Sequence, residues 1–197
     1  MSSLENAIAR IAASLDQVGH PWALVGALAV AAHAEARATL DVDVAVAVKD
    51  ADEAAAVVSR LRHLGYTWRA DFGAAMTSFE VPEGPPGGLR LDVLFSLTGI
   101  ESEIAIRAQR MEILPGLHVP VALVGDLIAI KLLAAGEPGR EHDWRDLRAL
   151  VARATPEDIE HARSSIAHLS VRDPLQRGRL DARLERLLAR SEWPEEG

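Results

Sequence analysis

The hydrophobic positions change period several times along the chain, and each change marks an element. Leu4, Ile8, Ile11, Leu15 and Val18 recur at alternating steps of four and three, the spacing of one face of an amphipathic helix. Ser2 and Glu5 have capping-box spacing at its start, and Gly19-His20-Pro21 ends it, because proline cannot continue a helix. The next run, Trp22-Ala23-Leu24-Val25, is short and wholly apolar, as a buried strand is. Gly26 interrupts it, and Ala27 to Glu35 is alanine-rich and helical in character. A strand, a glycine and a helix start in succession aim backbone N–H groups at whatever lies above the turn.

Residues 40–48 alternate strictly. Val42, Val44, Val46 and Val48 share one face of a strand, and Asp41, Asp43, Ala45 and Ala47 share the other. Asp50 to Leu64 reads as a helix capped by Gly65. Weaker strands follow near Tyr66–Ala70 and Ala75–Val81, then a turn from Gly84 to Gly88. Leu89 to Phe95 alternates again, with Arg90, Asp92 and Leu94 on one side, and the short spacing predicts antiparallel pairing with its predecessor.

Beyond about Glu101 helices dominate, interrupted by a short strand near Leu117–Val121. They are expected over Asp126–Ala135, over Glu141–Ala154, from Thr155-Pro156-Glu157-Asp158 onward, and over Pro174–Ser191. The pattern predicts an α+β fold: a mixed β-sheet flanked by helices over 1–125, then a helical C-terminal part over 126–197.

Composition narrows the chemistry. The 197 residues contain no cysteine, which excludes disulfides, iron–sulfur clusters, Cys-based zinc sites and a thiol nucleophile. Lys and Arg number 21 against 29 Asp and Glu, a formal charge of −8 that disfavours broad contact with phosphate backbones and favours divalent cations. Aromatic residues are 4 %, too few for stacking platforms along a sugar or a single strand. The apolar run from Pro21 to Ala32 is too short to span a bilayer, and the N-terminus has no signal-peptide order, so a cytoplasmic location is expected.

Asp41 and Asp43 are the sharpest candidates. Two carboxylates at i and i+2 of a strand project from one face, about 7 Å apart along it. Like charges held together call for a cation or a proton. Magnesium takes oxygen ligands, commonly one or two carboxylates plus substrate phosphates. Asp92, on a second alternating strand, supplies a third carboxylate if that strand lies beside the first. Three converging acids would hold two metals, and the third acid could also take a proton from an attacking hydroxyl. The competing reading is a solvated acidic face. The Gly26 turn upstream tips the balance, because an anion site beside a cation site describes a nucleoside triphosphate site.

These residues together resemble the nucleotidyltransferase superfamily with the polymerase-beta-like fold. Its signature is a glycine-led strand-to-helix turn, an Asp-X-Asp and a later lone Asp, here Gly26-Ala27, Asp41-Val42-Asp43 and Asp92. The chain is most similar to the AbiEii-like toxin branch, through Gly26, Ala29, His33, Arg37 and Thr39, then Lys131 and Asp143-Trp144-Arg145-Asp146. The resemblance implies transfer of an NMP group from an NTP to a hydroxyl of a small molecule, a protein or an RNA end. Asp41, Asp43 and Asp92 would then be metal-binding and catalytic with Mg²⁺, and Gly26, Ala27, Arg37 and Lys131 would contact the nucleotide. An antitoxin or another protein partner is implied as well.

Ala27 departs from the Ser or Gly of the superfamily and removes a hydroxyl from the turn. That departure keeps open a non-catalytic nucleotide-binding or protein-interaction module of the same fold. The arginines of the last helix, Arg172, Arg177, Arg179, Arg183, Arg186 and Arg190, interleave with Asp173, Asp181, Glu185 and Glu192, which fits a helix laced with ion pairs better than an RNA-binding stripe.

Overall fold

The structure is a computed structural model that describes residues 3–34, 39, 41–82, 84, 85, 88–95, 99–136, 139–169 and 174–189, with the side chains of 174–177 outside the description. Arg37, Ser2, Arg172 and Arg190 therefore lie outside the described residues, as does the side chain of Arg177. The chain forms two compact units, residues 1–32 with 36–122 and residues 33–35 with 123–197.

The first unit is a seven-stranded mixed sheet with helices. Helix α1 (Ser3–Val18) buries the stripe Ala7, Ile8, Ile11, Leu15 and Val18. Strand β1 (Trp22–Val25) is buried along its whole length and leads directly into α2 (Gly26–His33). Strand β2 (Asp41–Val46) carries the Val/Asp alternation. Helix α3 (Ala51–His63) starts at Asp50, whose side chain accepts the Glu53 N–H at 2.9 Å. Strands β3 (Thr67–Phe72), β4 (Met76–Glu80) and β5 (Arg90–Leu94) follow, then α4 (Glu101–Arg107), β6 (Gln109–Leu114) and β7 (Leu117–Val121).

Across the sheet the order is β3-β4-β5-β2-β1-β7-β6. β1 runs antiparallel to β2 and parallel to β7, β2 runs parallel to β5, and β4 runs antiparallel to both β3 and β5. The β4–β5 pairing is the one expected from their spacing. Strands β1, β2 and β5 at the centre bury Leu24, Val42, Val44, Leu91 and Val93.

Strand β6 is not predicted by the hydrophobic pattern. It alternates weakly, carries Gln109, Arg110 and Glu112, and is half-exposed; its place is set by the hairpin with β7, closed by Pro115-Gly116 with Gly116 at φ +79°.

The second unit is built of α5 (Val124–Ala134), α6 (Glu141–Val151), α7 (Pro156–Leu169) and α8 (Pro174–Leu188). Gly125 lets α5 and α7 meet closely: a Cβ there would lie 2.7 Å from the Asp158 carbonyl oxygen and the Ala162 nitrogen. Buried Asp126 accepts from the Ser165 hydroxyl at 2.7 Å and lies 3.1 Å from His161 Nε2, pinning the same helices. At the start of α7, Thr155 and Asp158 cap each other: the Asp158 carboxylate accepts from the Thr155 N–H at 2.8 Å, and Thr155 Oγ1 accepts from the Asp158 N–H at 3.2 Å. Arg163 on α7 pairs with Glu185 on α8 at 2.8 Å, and the Arg183 guanidinium donates to the Leu132 carbonyl, so these arginines are engaged in joining helices. Among the described residues no helix is long and apolar enough to cross a membrane.

Candidate active site

The β2–β5 register assembles the site. In the parallel pair Asp41 faces Arg90 and Asp43 faces Asp92. Residues paired across neighbouring strands share a sheet face about 4.8 Å apart, so the four side chains form a two-by-two block on one face. The next strand extends it, because β4 places Glu80 beside Arg90 and Ser78 beside Asp92. The acids expected to meet from separate stretches of backbone thus lie on one face: Asp43 and Asp92 are direct neighbours, and Asp41 sits one alternation away.

Gly26 closes the other flank of Asp43. Its φ of +63° belongs to the left-handed region, and a Cβ built on it would lie 1.9 Å from Asp43 Oδ2. Only a residue without a side chain lets the carboxylate lie against this backbone. Asp43 therefore occupies the start of α2, where unpaired helical N–H groups favour negative charge.

Asp41 is held on both oxygens. Arg90 Nε donates to Oδ1 at 2.8 Å and its terminal nitrogen lies 2.6 Å from Oδ2, a two-pronged guanidinium–carboxylate contact. The hydrogen bond that Arg90 donates to Asp41 raises the Arg90 pKa above its ordinary value; burial opposes this, and Asp41, Asp92 and Asp43 add Coulombic support. Arg90 is the residue the sequence pattern does not single out for chemistry. Its alternation with Asp92 is visible in the sequence, but its pairing with Asp41 depends on the strand register.

Asp92 is the least satisfied of the three acids. Its Oδ1 is buried and has no hydrogen-bond partner. Leaving a buried carboxylate oxygen unpaired next to a second carboxylate is unfavourable unless a cation or a proton completes the site. The donor set here, all carboxylate oxygen, suits a hard divalent cation. Among the described residues no three carboxylate or imidazole side chains are gathered closely enough to enclose an ion. The physical reason is visible in the block itself: Asp41 is turned to Arg90.

The remaining candidates fall in different places. Ala27 is 4 % exposed, so its methyl group is part of the interior and offers nothing to a ligand; any contribution of this position comes from its backbone. Thr39 Oγ1 both donates to the Asp41 carbonyl and accepts the Asp41 N–H, at 3.2 Å each, and so fixes the start of β2. His33 is half-buried at the end of α2. Lys131 belongs to the second unit and is 7 % exposed. Its ammonium donates to Asp143 Oδ1 and to Asp146 Oδ2, both at 2.7 Å. Both acids are buried, at 3 % and 2 % exposure, and Arg140 and His142 approach the outer oxygen of Asp143 at 3.3 and 3.4 Å.

A mixed sheet whose glycine turn packs on one member of a carboxylate pair defines a nucleotidyltransferase-like protein. The fold is shared with an antigenic nucleotidyltransferase-like protein from Paracoccidioides brasiliensis, at TM-score 0.58 and 20 % identity, covering 91 % of this chain and 93 % of that one. It is shared also with the antibiotic-resistance factor ANT(2'')-Ia, at TM-score 0.57 and 15 % identity, covering 94 % and 95 %. Comparison with curated proteins finds no match in sequence. The family described as "Nucleotidyl transferase AbiEii toxin, Type IV TA system" matches residues 8–196, and the chain belongs to it.

Proposed function

We propose that the protein is a Mg²⁺-dependent nucleotidyltransferase that moves an NMP group from an NTP to a hydroxyl acceptor. The observation that carries the reading is the in-register pair Asp43–Asp92, with Gly26 packed on one carboxylate and a buried, unpartnered oxygen on the other. Asp41, Asp43 and Asp92 would hold the cation, which when bound neutralises phosphate charge and polarises the phosphoryl oxygens.

The rest follows from the chain's own groups. The turn at Gly26 and Ala27 opens α2, and its backbone N–H groups take phosphate oxygens. Asp92 lies on the side of Asp43 facing β4, away from that turn, so the acceptor hydroxyl enters there and gives its proton to the Asp92 carboxylate. The acceptor oxygen bonds to the α-phosphorus, the bond to the β-phosphate oxygen breaks, and pyrophosphate leaves. Acceptors of three classes fit this chemistry: a small molecule, a protein side chain and an RNA end. An antitoxin is the protein partner the family suggests.

Ala27, where the superfamily signature has Ser or Gly, keeps open a second reading, a module that binds nucleotide without transferring it. Transfer of radiolabel from α-labelled NTPs with Mg²⁺, compared between the wild type and Asp43→Asn, separates the two. The enzyme reading expects incorporation by the wild type and a loss of about a hundredfold or more in the variant, the scale of removing one transition-state electrostatic contact. Equal incorporation by both would remove the assignment, and nucleotide binding in calorimetry without incorporation supports the module.

A further inference from the structure

Arg90 stands between two carboxylates, with Asp41 facing it on β2 and Glu80 facing it on β4. It is bonded to Asp41 through both oxygens, while Glu80 is approached by Arg69 at 3.5 Å. Both partners of the Arg90–Asp41 pair are open to water, with side chains 49 % and 37 % exposed. Because both partners keep access to water, opening the fork leaves no buried charge uncompensated, so the pair can exchange. Two residues further along β5, Asp92 keeps a buried oxygen without a partner.

We infer that Arg90 is a positioning residue of this site: the guanidinium and a divalent cation compete for the Asp41 carboxylate, so Arg90 sets how much cation the site needs. This rests on the reading of Asp43 and Asp92 as a cation site. A cation held by those two carboxylates gains a third oxygen donor only when the Asp41 fork opens, and the released guanidinium has Glu80 facing it on the neighbouring strand. The arrangement makes the third ligand conditional on cation, where a permanently gathered trio would repel itself.

The test is a Mn²⁺ titration followed by electron paramagnetic resonance, without nucleotide, with melting curves confirming the fold of each variant. The proteins are the wild type, Arg90→Gln, Arg90→Lys, Asp43→Asn and, as a charge control on the far edge strand β6, Arg110→Gln. Removing a unit positive charge within several ångströms of a dication is expected to tighten binding about tenfold in Arg90→Gln. Arg90→Lys, which keeps the charge and loses the fork, falls between it and the wild type. Arg110→Gln stays within about twofold of the wild type on the same Coulombic scale, its charge lying on the edge strand and screened. Asp43→Asn weakens binding. If Arg90→Gln binds no tighter than the wild type, or no tighter than Arg110→Gln, while Asp43→Asn still weakens, the competition is refuted and the cation site stands. Absence of Mn²⁺ binding in the wild type and Arg90→Gln alike removes the cation site itself.

Discussion

Two of the charge clusters among the described residues are built in opposite ways. In the helical unit, Lys131 lies between Asp143 and Asp146 with all three side chains buried and both ammonium contacts at 2.7 Å. In the sheet unit, Asp41, Asp43, Asp92 and Arg90 lie half-exposed on one sheet face, one acid is latched by the arginine, and one keeps a buried oxygen unpaired. Buried charges persist when their partners satisfy them, and such a cluster fixes helices in register. The first cluster also keeps one buried oxygen, Asp143 Oδ2, without a hydrogen-bond partner, so the difference lies in charge balance and exposure: a buried lysine between two acids in one, three acids and one arginine on an open sheet face in the other.

The largest effect should come from breaking the buried cluster. Lys131→Met leaves two carboxylates buried without their cation and is expected to cost about 3–5 kcal/mol in urea unfolding. Adding Asp143→Asn and Asp146→Asn to that variant should recover most of the loss. A small loss in Lys131→Met would mean that the lysine is no structural partner.

Gly26→Ala comes next. The substituted Cβ meets Asp43 Oδ2 and sits at φ +63°, so a loss of about 1–3 kcal/mol is expected together with loss of transfer. Retained activity would disconnect the glycine from the carboxylate. Asp92→Asn should behave in the reverse sense from Lys131→Met: stability unchanged or raised by up to about 1 kcal/mol, because a repulsive, unpartnered carboxylate is neutralised, while transfer is lost. Calorimetric unfolding of the two variants side by side reads the sign directly. Smallest of all, Ala27→Ser should leave transfer within about twofold, because the side chain points into the interior, where an added hydroxyl changes stability by about 1 kcal/mol. A large gain in transfer would show that the missing hydroxyl limits the site.

Much of this was legible in the sequence because the elements that carry it have strong periods. The four-residue apolar run 22–25, the Asp/Val alternation of 41–46 and the Arg90/Asp92 alternation each name a strand and the face it presents, and the glycine between β1 and α2 marks the turn. Register was not legible. Nothing local says that Asp43 faces Asp92 or that Asp41 faces Arg90, since this depends on how two strands forty-nine residues apart slide together. For the same reason the pairing of Lys131 with Asp143 and Asp146 was not legible: the apolar helix suggests a snorkelling lysine, the resemblance favours a phosphate contact, and only α6 brings the two acids to it. Strand β6 escaped because its weak alternation carries little burial signal, and its hairpin partner supplies its order.

Pyrophosphate release is the most direct probe of the open carboxylate pair. With each NTP in turn, Mg²⁺, and polyols, total RNA or the protein itself as acceptors, the wild type should release pyrophosphate from at least one nucleotide. Asp43→Asn and Asp92→Asn should do so about a hundredfold more slowly or less, with unfolding midpoints kept. Release at the wild-type rate by either variant, or release that persists when Mg²⁺ is chelated, would contradict the account.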